Sequence, residues 1–197
     1  MKKIDYLSLP TPLIGVDEVG RGSLAGPVTA AAVIFDSSKD IRKYKDSKQL
    51  EEKKRAELSE SIHKHHLVAI GWASVEEIDE LNILQASLLA MYRAVRMLKV
   101  KSGTILVDGL QIVPNLDSFE QRAIVRGDEK LRLISAASIA AKVARDEFMR
   151  TLAGEIKDYG FEKHKGYGTL FHRKKIAALG PSKWHRQSFS GVKEFIR

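Results

Sequence analysis

The stretch Leu13–Phe35, L-I-G-V-D-E-V-G-R-G-S-L-A-G-P-V-T-A-A-A-V-I-F, constrains the fold of this chain more than any other. Its two apolar runs, Leu13–Val16 and Val28–Phe35, are short, rich in β-branched residues and bounded by glycine and proline. That pattern predicts strands buried on both faces. Between the runs lie Asp17 and Glu18, then Gly20-Arg21-Gly22, then Gly26-Pro27. Successive side chains on a strand point to opposite faces. Both carboxylates reach one site only if the strand ends or bulges there; otherwise the pair is an acidic strand end beside a turn. An apolar hairpin has no structural use for two adjacent charges, and the nearby glycines suit a backbone that something approaches closely. The hairpin is therefore expected to carry an active site.

Two further acids fall at comparable places. Leu67–Ala73 predicts a third buried strand, Thr104–Val107 a fourth and Arg122–Val125 a short fifth. The fourth runs into Asp108-Gly109 and the fifth into Arg126-Gly127-Asp128. In α/β sheets, ligands bind beyond the carboxyl ends of the strands. If the strands share one sheet, Asp17, Glu18, Asp108 and Asp128 converge. Four anions in one pocket repel unless cations offset them. A carboxylate set without Cys or His suits Mg²⁺ or Mn²⁺. Two such ions ~3.5–4 Å apart form the clamp used for in-line phosphodiester displacement.

Helical patterns connect the strands. One runs from about Glu51 to His66, with Ser47 as its N-cap. Its His63–His66 end matches no usual zinc spacing and reads as solvated. A second starts at a capping box, Ser74 with Glu77, is interrupted near Leu81-Asn82 and reaches about Lys99. A third spans about Leu133 to Ile156, with Asp146 read as a surface charge. A fourth spans about Thr169 to Leu179 and stops at Gly180-Pro181.

Charge separates the tail from the rest. Residues Lys157–Arg197 hold ten Lys and Arg against three acids, so +7 of the net +8 lies there, interleaved with Phe, Tyr and Trp. Cations for phosphates and rings for sugars or bases point to a nucleic-acid partner. Residues 1–156 are expected to form a catalytic domain, with 157–197 a basic helical segment packed on it. The chain has no cysteine, which excludes a disulfide framework and a thiolate nucleophile. No apolar run approaches the ~20 residues of a membrane span, so a cytoplasmic protein without membrane contact is expected.

Taken together, G-V-D-E-V-G-R-G-S-L-A-G-P-V, D-S-K-Q-L, L-V-D-G, G-D-E-K, I-S-A-A-S-I-A-A-K-V-A-R-D, H-K-G-Y-G-T and G-P-S-K-W-H-R-Q-S-F resemble bacterial type 2 ribonuclease H, in that family's order and over nearly the whole chain. Type 3 relatives carry a large N-terminal extension, and only 16 residues precede Asp17 here. The resemblance implies a ribonuclease H-like α/β fold: a central mixed five-stranded sheet flanked by helices, with a C-terminal helical extension. It also implies that Asp17, Glu18, Asp108 and Asp128 bind metal and catalyse. Gly20, Arg21 and Gly22 match the motif whose backbone reads a 2′-hydroxyl. Tyr167 matches the tyrosine that senses the step from ribose to deoxyribose. Lys48 and Asn82 fit family patterns for phosphate contact.

The implied activity is a Mn²⁺- or Mg²⁺-dependent endonuclease, acting as a monomer. It would cleave the RNA strand of RNA–DNA hybrids and incise duplex DNA 5′ of embedded ribonucleotides, leaving 5′-phosphate and 3′-hydroxyl ends. The alternative is a non-catalytic hybrid-binding protein of the same fold; four retained carboxylates near phosphates count against it. After Phe189 no clamp-binding peptide is evident, and the loop following Asp108, L-Q-I-V-P-N, aligns with no family motif.

Overall fold

A sheet whose central strands are apolar on both sides must be covered on both sides, and this chain does so with two long helices. The structure, a computed structural model, describes residues 9–36, 39, 43–44 and 51–196. Strands β1 (Leu13–Val19), β2 (Val28–Ile34), β3 (Leu67–Ala73), β4 (Gly103–Asp108) and β5 (Phe119–Ile124) form one sheet in the order β3-β2-β1-β4-β5. The β1–β2 and β2–β3 pairs are antiparallel, while β1–β4 and β4–β5 are parallel.

Alternation along β2 distributes its side chains between two cores. Val28, Ala30 and Ala32 pack on the side of Ala90, Met91, Ala94 and Val95 from helix α3 (Ile83–Met97). Ala31 and Val33 pack on the side of Ile134, Ala137 and Ala141 from helix α5 (Arg132–Glu155). Small residues bring helix and sheet together. A Cβ on Gly15 would stand 2.5 Å from the Leu133 carbonyl oxygen, closer than any side chain can sit.

Helix α1 (Glu52–His65) lies against α5. Helix α2 (Val75–Leu81) opens on the expected capping box, with Ser74 Oγ accepting from Glu77 N–H and the Glu77 carboxylate accepting from Ser74 N–H. The break before α3 falls at Asn82, whose φ is 72°. Its side-chain oxygen accepts from Leu84 N–H and Gln85 N–H, capping α3. A single turn, α4 (Gly127–Lys130), precedes α5. The tail carries α6 (Phe161–His164) and α7 (Leu170–Leu179), and a third cluster containing Leu24, Met149, Leu152, Phe161, Ile176 and Val192 joins it to the end of α5. No helix among the described residues is long and apolar enough to cross a membrane.

Four local expectations need correction. Strand β5 starts at Phe119 rather than Arg122, because parallel pairing with β4 holds the polar residues Glu120 and Gln121 in the sheet. His66 is buried rather than solvated: it packs on Phe35 and Tyr44, accepts from Asp36 N–H and contacts the Tyr44 hydroxyl. Asp146 is buried too, in an ion pair with Lys142 at 2.7 Å. Strand β1 neither ends nor bulges at Asp17: its register with β2 runs unbroken through Asp17, Glu18 and Val19. Ser47, the expected N-cap of α1, lies outside the described residues.

Candidate active site

The carboxylates meet where two neighbouring strands part. Parallel pairing of β1 with β4 stops at Val16 and Val107, one residue before both Asp17 and Asp108. Asp17 faces α5, where Ser138 hydrogen-bonds to it, and its Oδ1 accepts from the Glu18 N–H at 2.8 Å. Alternation assigns Glu18 to the other face, but with no β4 partner on that flank it still reaches the opening. Asp17, Glu18 and Asp108 line one cavity of about 350 Å³ together with Ser138, Lys142 and Tyr167.

Asp128 is brought to this rim by main chain. After β5, Arg126 takes a left-handed conformation, φ 55°, and α4 begins. Asp108 Oδ1 accepts from Gly127 N–H at 2.6 Å and lies 3.4 Å from Asp128 N. The Asp128 side chain is buried, and it is not among those lining the cavity.

Electrostatics make the pocket uncomfortable as it stands. Burial, then the neighbouring charges of Glu18 and Asp108, hold the Asp17 carboxyl well above the ordinary carboxylate range. Burial also raises Glu18, opposed by Arg21, whose guanidinium lies 3.2 Å from it. Among the described residues, no three acidic or histidine side chains are already drawn into a shell that could hold an ion. The donor set nevertheless fits a hard divalent cation, since it is all carboxylate oxygen and its mutual repulsion is what a cation relieves.

The glycine motif is built differently. Arg145 and Arg186 are both fully buried, and their hydrogen bonds among the described residues go to main-chain carbonyls. Arg145 donates to Ala25, Pro27 and Lys165; Arg186 donates to Gly20, Arg21 and Gly26. Burial lowers both guanidinium pKa values, that of Arg186 to about 9. In a trans peptide the C=O and N–H point in opposite directions. With the Gly20 and Arg21 carbonyls turned inward onto Arg186, the N–H groups of Arg21 and Gly22 point away from it. Gly20 has φ 92°, and a Cβ there would lie 2.2 Å from Arg145 Nε. A Cβ on Gly22 would meet nothing within 4 Å. One glycine serves packing and the other an open approach.

Tyr167 joins the two parts. Its segment pairs with the strand-like stretch after the glycine motif, through a Ser23–Tyr167 bridge and a Leu24 N–H to Gly166 carbonyl bond of 2.8 Å. The ring lies 5.7 Å from Lys142 Nζ and 5.5 Å from the Arg145 guanidinium carbon. Asn82 is exposed and its side-chain oxygen is occupied in capping, while Lys48 lies outside the described residues. Sequence pattern did not single out Ser138, Lys142 or Arg145. The usable signal was their spacing: i, i+4 and i+7 on a helix share a face. Arg186 offers no such signal, because its partners are carbonyls distant in sequence.

Sheet order, flanking helices and acids at the β1–β4 junction define a ribonuclease H-like α/β protein. Comparison with known proteins narrows this. The family model described as Ribonuclease HII matches residues 14–192. The ribonuclease HII of Pelagibacter ubique is 49% identical over 184 residues, covering 93% of this chain and 98% of the relative. That of Marinomonas sp. is 50% identical over 185 residues, covering 93% of this chain and 92% of the relative. Among solved structures, the Archaeoglobus fulgidus ribonuclease HII in its complex with PCNA superposes with a TM-score of 0.78 at 27% identity, covering 94% of this chain and 97% of that one. The chain belongs to the ribonuclease HII family: it is a type 2 ribonuclease H, an endoribonuclease acting on RNA–DNA hybrids.

Proposed function

We propose that this enzyme also incises duplex DNA on the 5′ side of a single embedded ribonucleotide, using divalent cations held by Asp17, Glu18, Asp108 and Asp128. The observation that carries this is one cavity lined by three of those acids together with Tyr167, beside a loop whose outward groups are main-chain amides. Bound among the acids, Mn²⁺ or Mg²⁺ supplies activation of a water and stabilisation of the leaving 3′-oxyanion.

The chain's own groups do the rest. A 2′-hydroxyl is both donor and acceptor, and it is the group that distinguishes ribose from deoxyribose at a given site. The Arg21 and Gly22 N–H groups are aimed to donate to it, and the bare Gly22 Cα lets the sugar come close. Arg21 moves from Glu18 to the adjacent phosphate as substrate and cations enter, since a guanidinium fork suits phosphate oxygens. The Tyr167 ring stacks on the next nucleotide, where a second 2′-hydroxyl would crowd it. Residues 157–197 contribute phosphate contacts through their excess of lysine and arginine.

The test is a duplex carrying one ribonucleotide, incubated with and without Mn²⁺ or Mg²⁺. The expected product is a nick 5′ of the ribonucleotide with 3′-hydroxyl and 5′-phosphate ends, formed only with the cation. Cleavage of long hybrids with an intact single-ribonucleotide duplex would restrict the activity to hybrids.

A further inference from the structure

Three of the six histidines, His164, His172 and His185, cluster in the tail, and two of them, His172 and His185, are fully buried. Their Nε2 atoms lie 3.0 Å apart, so one proton sits between them and one ring must accept. Which ring accepts is settled by the far ends of the pair. His172 Nδ1 lies 3.0 Å from the Tyr167 carbonyl oxygen, and a carbonyl only accepts, so Nδ1 carries a proton. His185 Nδ1 lies 2.9 Å from Ser182 N, and a backbone N–H only donates, so that nitrogen is bare. Neutral imidazole has one N–H. His172 is therefore protonated on Nδ1 and His185 on Nε2, opposite tautomers forced independently from each end.

The chain of bonds has one direction: Ser182 N–H to His185, His185 to His172, His172 to the Tyr167 carbonyl. The third histidine, His164, braces the same loop, donating from Nε2 to the Tyr159 carbonyl and accepting at Nδ1 from Gly166 N–H. Its ring stacks on His172 at 4.3 Å. The other titratable neighbours of the pair are Tyr159, whose ring lies 4.7 Å from His185, and Arg173 on the helix of His172. Neither they nor His164 carries negative charge at neutral pH, so they offer no stabilisation to an imidazolium. Burial accordingly lowers both His172 and His185 to about 4.

We infer that His172 and His185 are positioning residues: a one-way hydrogen-bond relay from the Ser182 turn that fixes the main chain of Tyr167 and so sharpens recognition of the ribose-to-deoxyribose step. This rests on the reading of Tyr167 given above. A bound proton would set two N–H donors facing each other across 3.0 Å and break the relay.

The relay is tested on the unaltered protein by long-range proton–nitrogen spectra of the histidine rings at neutral pH. Opposite tautomers, Nδ1–H on His172 and Nε2–H on His185, are expected. The same tautomer on both rings overturns the relay. Its role is tested by the ratio of single-ribonucleotide incision to long-hybrid cleavage. His172→Phe keeps a ring but loses the donor, and is expected to lower that ratio about three- to tenfold. His172→Asn returns an N–H near the Nδ1 position and is expected to recover most of it, which general loss of packing would not do. Tyr167→Ala is the control. If it lowers the ratio and His172→Phe does not, the relay has no positioning role. If Tyr167→Ala slows both substrates equally, the reading of Tyr167 fails instead.

Discussion

The rim of acids and the buried arginine–histidine layer beneath the glycine loop lie side by side, yet they solve opposite problems. At the rim, carboxylates of like charge crowd together, and the Asp17 carboxyl is held well above the ordinary carboxylate range. In the layer, two guanidinium groups and the relay imidazoles are buried, with carbonyls and amides as hydrogen-bond partners. The layer is complete as the chain folds. The rim would be completed only by what binds to it. Under the proposed function this division separates reading from cutting: sugar recognition would be preorganised by the fold, whereas chemistry would wait for cations and a phosphodiester.

The largest expected effect comes from the rim. Asp17→Asn and Asp128→Asn should each lower cleavage by at least about a hundredfold, as loss of a metal-site group does, while leaving hybrid binding largely intact. Asp17→Asn should also raise Tm in chelator at neutral pH. Because its folded-state pKa is raised, the native state holds the Asp17 proton more tightly than the unfolded chain does. Stability from this group therefore falls as pH rises past the unfolded carboxyl value, and the amide removes that loss. A lower Tm in Asp17→Asn would show that the rim is not strained.

Arg186→Lys attacks the layer. It keeps a charge but loses the planar fork that spans Gly20, Arg21 and Gly26. Buried carbonyls left without donors should cost roughly 3 kcal/mol of stability, read by denaturant melts, and selectivity for a ribonucleotide should fall with it. A smaller effect follows from the relay. His172 and His185, ordinary in the unfolded chain near 6.5 and lowered to about 4 when folded, bind protons more tightly once unfolded. Stability should then drop as pH falls from about 6.5 toward 4 and level off below, and His172→Phe should flatten the slope of Tm across that window.

How much of this was legible in the sequence follows the same division. Acids at strand exits stand beside strong periodic signals, so Asp17, Glu18 and Asp108 could be grouped before any fold was known. The layer was not legible, because its bonds run from side chains to carbonyls up to 166 residues away, as from Arg186 to Gly20. The burial of Asp146 and His66 is hidden for a related reason: local composition is charged there, and only tertiary packing buries them. The way Asp17 and Glu18 share one opening is equally hidden from the sequence. The strand neither ends nor bulges there: β1 runs on with β2 after leaving β4.

Binding without cations separates reading from cutting most directly. In chelator, affinity for a duplex with one ribonucleotide is compared with that for the same duplex made wholly of DNA, by fluorescence anisotropy at matched salt. A preorganised loop predicts tighter binding of the ribonucleotide duplex without any divalent ion, with the preference lost in Arg186→Lys and kept in Asp17→Asn. Equal affinity in chelator, with a preference arising only when Mn²⁺ or Mg²⁺ is added, would contradict it: the sugar would then be read through the metal-filled rim and not by the loop.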